Sequence, residues 1–172
     1  MKGKKIVIAG GTGFIGQAIV AFYGKENHFV VLSRAGVNTH NNNAGQQLLS
    51  PAQGYQVTYR RWDGIHVEKH WANELEGADI LINLAGKSVN CRYTEKNKKE
   101  LFESRIIPTR TLGEAIRNCI APPKLWINGS SATIYRHATD KPQDEYTGEI
   151  ENDFSVQVCK QWEEALFEQR TP

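Results

Sequence analysis

The chain has 172 residues, the size of one domain with a full core. Its 21 basic and 19 acidic residues nearly cancel, so charge gives no reason to expect a nucleic acid partner. No apolar run approaches the roughly 20 residues that span a membrane, and the apolar start at residues 6–9 is cut off by glycines too early for a secretion signal, so a cytoplasmic location is expected.

The first element is the stretch 4–16, KKIVIAGGTGFIG. Residues 6–9 are a short apolar run that reads as a buried parallel strand. Glycines at 10, 13 and 16 follow. Gly10 ends the strand in a tight turn, Gly13 lets a pyrophosphate approach the backbone, and Gly16 lets the next helix lie close to the sheet. That helix, from about residue 13 to 23, aims its free N–H groups at the phosphates. Phe14, Ile15, Ile19 and Phe22 supply its apolar side. Strand, glycine turn and helix in this order predict a dinucleotide site made by Gly10, Thr12, Gly13, Phe14, Ile15 and Gly16.

His28–Ser33 (HFVVLS) is the second strand, parallel to the first through a right-handed crossover. Its end lies beside the adenosine ribose, where an NAD binder usually carries Asp or Glu. Ser33 and Arg34 stand there instead. An arginine accepts no bond from a 2′-hydroxyl but clamps a 2′-phosphate with its planar fork, which favours NADP(H) over NAD(H). The plain alternative is a surface arginine in a loop. Residues 35–54, with HNNNAGQQ, read as a polar loop with a short helix near 44–49.

Residues 56–62 (QVTYRRW) form the third strand and Asp63-Gly64 turns out of it. HVEKHWANEL is at most a short helix, with Trp71 and Leu75 packed on the sheet. Residues 78–84 (ADILINL) are the central fourth strand. Asn83, Leu84, Ala85 and Gly86 leave its carboxyl end, where ligands bind in open α/β sheets, and small residues there leave room for the nicotinamide ribose.

Residues 94–118 are a long helix with Thr94 as N-cap and Leu101, Leu112, Ala115 and Ile116 inward; Pro108 kinks it or breaks one bond. Residues 124–128 are strand five, 136–152 a charged surface loop, and 153–169 a last helix burying Phe154, Val158, Trp162 and Leu166. Cys91, Cys119 and Cys159 are odd in number and scattered, so free thiols are expected. The five histidines form no ligand pattern, so no metal is expected.

GGTGFIG resembles the extended, epimerase-type branch of the short-chain dehydrogenase/reductase superfamily, with Ala9 where that branch often has Thr. NLAG at 83–86 resembles its N-x-A-G segment, and SSATIY at 130–135 its exit from strand five. SR-x-x-x-T at 104–109, the preceding AGKSVNCRYTEKNKKEL and the final DFSVQVCKQWEEALF resemble one subgroup of unassigned substrate. The resemblance implies that Asp63 meets the adenine amino group, with an Asx turn or helix cap as the alternative. It implies that Glu100 and Arg105 line the cofactor cleft, a solvent-facing ion pair being the alternative. Ser131, with Ser130 second, would polarise a substrate carbonyl, and Lys160 would be the catalytic lysine and also hold ribose hydroxyls. The superfamily's proton donor is a Tyr four residues before that Lys; Val156 stands there, with no proton to give. Tyr135 and Tyr146 are the nearest phenols.

These readings predict an α/β fold, a Rossmann-type doubly wound parallel sheet in order 3-2-1-4-5 with helices on both faces. Residues 1–172 form a single NADP(H)-binding domain, the cofactor half of a full family member, without the sixth strand and substrate lobe. The expected function is an NADP(H)-dependent, epimerase-like oxidoreductase on a carbonyl or nucleotide-sugar-type substrate of unknown identity. A non-catalytic NADP(H)-binding or partner-docking module, or an inactive fragment, is the alternative. The bare sheet edge offers a route to a homo-oligomer.

Overall fold

The computed structural model describes residues 1–34 and 49–171. Among them, one sheet holds five parallel strands: β1 (Lys5–Ala9), β2 (His28–Ser33), β3 (Val57–Arg61), β4 (Ile80–Asn83) and β5 (Leu125–Asn128). Their spatial order is β3-β2-β1-β4-β5, as expected for the doubly wound fold. The helices are α1 (Phe14–Tyr23), α2 (Lys69–Ala72), α3 (Glu95–Arg117) and α4 (Phe154–Phe167).

The three inner strands β1, β2 and β4 are apolar at their centres because both faces of the sheet are covered there. Side chains alternate between faces. Val7, Ala9, Val30, Leu32 and Leu81 pack with Trp71 and Leu75 near α2 and with Leu112, Ala115 and Ile116 of α3. Ile6, Ile8, Phe29, Val31 and Ile82 face the other way, onto Val20 of α1. Each such side chain contributes roughly 1.5–3 kcal/mol on burial. The register Val7 to Val30 and Leu81 brings the ends of β1, β2 and β4 level, so the turns that leave them share one rim.

Two expectations shift. In α1 the buried residues are Gly16 and Val20, while Phe14, Ile15 and Phe22 are exposed. The helix is seated where it lacks a side chain, and that rotates the larger apolar residues outward. In α4 the buried set is Val156, Val158, Cys159, Trp162 and Ala165. Phe154 is half-buried in an aromatic group with Tyr93 and Phe102, at centroid distances of 5.2 and 5.5 Å. Helix α3 continues through Pro108, which has no N–H to donate, so one backbone bond is missing there as expected. Its N-cap is Thr94, whose Oγ1 accepts from the Asn97 N–H at 3.3 Å.

The short helix expected near 44–49 falls almost wholly on residues 35–48 and lies outside the described residues. Residues 136–152 are tied down rather than loose. Tyr135 bridges Ile150, and Arg136 holds both Asp140 and Glu149, whose carboxyls it draws down to about 2. Strand β5 exposes Leu125 and Ile127. No helix among the described residues is long and apolar enough to cross a membrane.

Candidate functional site

The site grows from the end of β1. Gly10 has φ +77°, a conformation that L side chains rarely adopt. A Cβ there would lie 2.7 Å from the Leu84 carbonyl, so the glycine also lets the β1 and β4 exits touch. The Gly13 N–H donates to the Gly10 carbonyl at 3.0 Å and closes the turn. Gly13 then starts α1 with no side-chain cap, and no acidic residue sits in the first helical turn. Those uncapped N–H groups and the positive dipole end suit an anion.

A cavity of about 850 Å³ opens over this turn. Gly10, Thr12, Gly13 and Phe14 line its middle. Ser33 and Arg34, leaving β2, line it with Trp62, Asp63, Gly64 and Ile65 from the β3 exit. Leu84, Ala85 and Gly86, leaving β4, continue it through Lys87 and Ser88. One face of α3 closes it with Glu100, Glu103, Ser104, Ile107 and Pro108, spaced three and four apart. The strand order sets the sequence of these groups along the cavity.

Asp63 does two things. Its Oδ1 accepts from the Ile65 and His66 N–H groups at 2.8 and 2.9 Å, an Asx turn, and its Oδ2 meets His66 Nδ1 at 2.6 Å. The His66 bonds are the main cause that holds the carboxyl down at about 2. The side chain that lines the cavity is therefore also the cap of its own turn.

Several expected site residues stand away from the cavity lining. Ile15 is exposed on α1, and Gly16 is buried against Gly11. Asn83 is fully buried: its amide donates to Thr109 Oγ1 at 2.9 Å and Asn128 Oδ1 at 2.7 Å, and its Oδ1 accepts from the Ala85 N–H at 3.1 Å. It shapes the turn beneath the cavity. Arg105 does not pair with Glu100. Its guanidinium donates to the Leu101 and Lys87 carbonyls at 3.0 and 3.1 Å and lies over the Trp162 ring. Burial pulls its pKa down. Glu100 lines the cavity and pairs with Lys87, which holds its carboxyl below the usual range.

Ser131 caps the turn Ala132–Ile134, its Oγ accepting from the Thr133 N–H at 3.3 Å, and does not line the cavity. Lys160 is exposed on α4, and Val156 is completely buried in it. Tyr135 is half-buried with its ring against Gly148. Burial, followed by Glu145, Asp144 and Glu163, pushes its phenol pKa up. Lys87, Glu103, Ser104 and Ile107 were not expected at the site. The spacing 100, 103, 104, 107 on a helix read from sequence was the signal that could have found the last three.

Among the described residues, no cluster of His, Cys, Asp and Glu could hold a metal, and the three cysteines are free. What the cavity offers is the main-chain N–H groups of the glycine turn together with the Arg34 guanidinium in one lining.

The family model described as NAD dependent epimerase/dehydratase family matches residues 6–158. The epimerase family protein YfhF of Bacillus subtilis is 33% identical over 161 residues, covering 92% of this chain and 48% of that protein. The crystal structure of human epimerase family protein SDR39U1 (isoform 2) with NADPH superposes with a TM-score of 0.68 at 25% identity, over 98% of this chain and 49% of that one. A UDP-N-acetylglucosamine 4-epimerase from Methanobrevibacter ruminantium shares the fold, with a TM-score of 0.71 at 21% identity over 98% and 51% of the two chains. The chain thus spans about half the length of the relatives it matches.

Proposed function

This chain belongs to the NAD dependent epimerase/dehydratase family, and we propose that its cavity binds a nicotinamide dinucleotide, NADP(H) in preference to NAD(H), within a single cofactor-binding domain. One observation carries the reading: the glycine turn 10–14, the Ser33-Arg34 pair and the β4 exit 84–86 line the same cavity. The α1 N-terminus takes the pyrophosphate. Arg34, beside the end of β2, takes a 2′-phosphate as a fork of N–H donors. Asp63 faces the adenine, and the small residues at 84–86 leave space for the nicotinamide ribose. A human relative's structure holds NADPH and a UDP-glucuronic acid 4-epimerase of the same fold holds NAD, so the comparisons support a nicotinamide dinucleotide and the preference for the phosphorylated form rests on Arg34.

When bound, the cofactor supplies hydride chemistry, and the activity that fits it in this reading is an epimerase-like oxidoreductase acting on a carbonyl or nucleotide-sugar-type substrate. A second reading, binding without turnover, is favoured by Val156: the position of the usual tyrosine is a buried valine, and Ser131 and Lys160 are not on the cavity lining. Among the described residues that line the cavity, none is a tyrosine to replace that phenol.

Fluorescence titration with NADPH and NADH tests the cofactor assignment. Wild type is expected to bind NADPH more tightly, and Arg34→Ala to lose about tenfold or more for NADPH with little change for NADH. That is the size of one charge-assisted hydrogen bond of roughly 1.5–3 kcal/mol. Equal affinities in wild type would overturn the NADP(H) preference.

A further inference from the structure

Lys87 is held more completely than a cavity-wall lysine needs to be. Its N–H donates to Ser104 Oγ at 2.9 Å and its carbonyl accepts from Arg105 at 3.1 Å. Gly86 before it has no room for a side chain without displacing that guanidinium, since a Cβ would lie 3.2 Å from Arg105 Cζ. Arg105 is itself fixed to Leu101 and lies 5.3 Å from the centroid of Trp162. The side chain is fixed as well: Nζ donates to Asn97 Oδ1 at 2.7 Å and to the Glu100 carboxylate.

Free lysine side chains lose up to about 2 kcal/mol of rotamer entropy when ordered. Here that cost is met within the protein, before any ligand arrives, and preordering of this kind tightens binding. Two of the three ammonium protons are used, which leaves one N–H for an acceptor. Among the described residues that line the cavity, Arg34 and Lys87 are the cationic ones. They leave the ends of β2 and β4, on opposite sides of β1 and its glycine turn. Strands β2 and β4 are two strand spacings apart, roughly 10 Å. If Arg34 marks the adenosine half of a dinucleotide, Lys87 stands at the other half.

We propose that Lys87, aimed by Asn97 and Glu100, is a binding residue for the pyrophosphate-to-nicotinamide-ribose half of the cofactor, donating its third N–H to a ligand oxygen. It does here what the resemblance asks of Lys160, from β4's exit rather than from α4. Glu100, Asn97 and Arg105 are positioning residues that act through it. Neutralisation by Glu100 suits the ammonium to a hydroxyl or a shared phosphate oxygen rather than to a second, separate anion. The inference rests on the dinucleotide reading.

The experiment is calorimetric titration of wild type, Lys87→Met and Lys87→Arg with NADPH and with adenosine 2′,5′-bisphosphate, which lacks the nicotinamide riboside half. Lys87→Met is expected to weaken NADPH about tenfold, as loss of a charged hydrogen bond does, and to leave the bisphosphate unchanged. The unchanged bisphosphate also shows that the variant is folded. Lys87→Arg, which keeps the charge, is expected to retain most of the NADPH affinity. NADPH affinity unmoved by Lys87→Met, or equal losses for both ligands, would overturn the Lys87 assignment and leave the dinucleotide reading standing. Absence of NADPH binding in wild type would overturn both.

Discussion

Gly16→Ala is expected to destabilise the protein by about 3 kcal/mol and to weaken any ligand of the cavity with it. A Cβ at residue 16 would lie 2.5 Å from Gly11 Cα, 2.8 Å from Gly11 C and 2.9 Å from the Gly10 carbonyl oxygen. Every one of these atoms is backbone, so no flexible side chain can move aside. Helix propensity alone predicts the opposite, because alanine is favoured over glycine inside a helix by about 1 kcal/mol. Packing decides, since overfilling a close contact costs about 1–3 kcal/mol or more and here the whole helix must lift. The lift carries the N-terminus of α1 away from the turn 10–13, where the proposed anion site lies. Chemical denaturation of wild type and Gly16→Ala measures the first effect. A variant as stable as wild type would mean that α1 is not seated on the glycine turn.

Asn83→Ala is expected to cost about 3 kcal/mol, again with loss of binding. The side chain is fully buried and joins three elements: Thr109 on α3, Asn128 at the end of β5 and the Ala85 N–H in the β4 exit. Truncation leaves the half-buried Asn128 amide oxygen and Ala85 N–H without these partners, each costing up to roughly 1–3 kcal/mol, and the emptied space at the fully buried residue 83 adds to the loss. Thr109 is less affected because its Oγ1 still donates to the Arg105 carbonyl and accepts from the Trp162 indole. Asn83→Asp separates hydrogen bonding from shape. It keeps the volume but replaces the donating NH₂ by an acceptor, so it too is expected to destabilise. If Asn83→Asp matched wild type while Asn83→Ala did not, packing rather than the amide's donors would hold this turn.

The inner strands were legible because burial on both faces leaves a short apolar run, as in residues 29–32 and 80–82. The first turn was legible for a related reason: glycine at 10 answers a backbone demand that few residues meet. Side-chain direction was less so. Apolar periodicity put Phe14, Ile15 and Phe22 of α1 toward the core, yet Gly16 and Val20 are buried, because the closest approach of helix to sheet selects small residues that hydrophobicity does not score. The SR-x-x-x-T segment was noticed, but its role lies in long-range contacts. Ser104 and Arg105 grip the backbone of Lys87, 17 and 18 residues away, and Thr109 meets Asn83 and Trp162. No local pattern states such pairings. Asp63 shows a further limit: one carboxylate both closes its own turn and lines the cavity, so the two readings of that residue were never exclusive.

The most direct measurement is amide hydrogen exchange on the full chain with and without NADPH. Slowed exchange is expected in three separated segments at once: the glycine turn 10–14, residues 33–34 at the end of β2, and the β4 exit 84–88. Protection confined to other segments, or none in the glycine turn at a saturating concentration of NADPH, would contradict it.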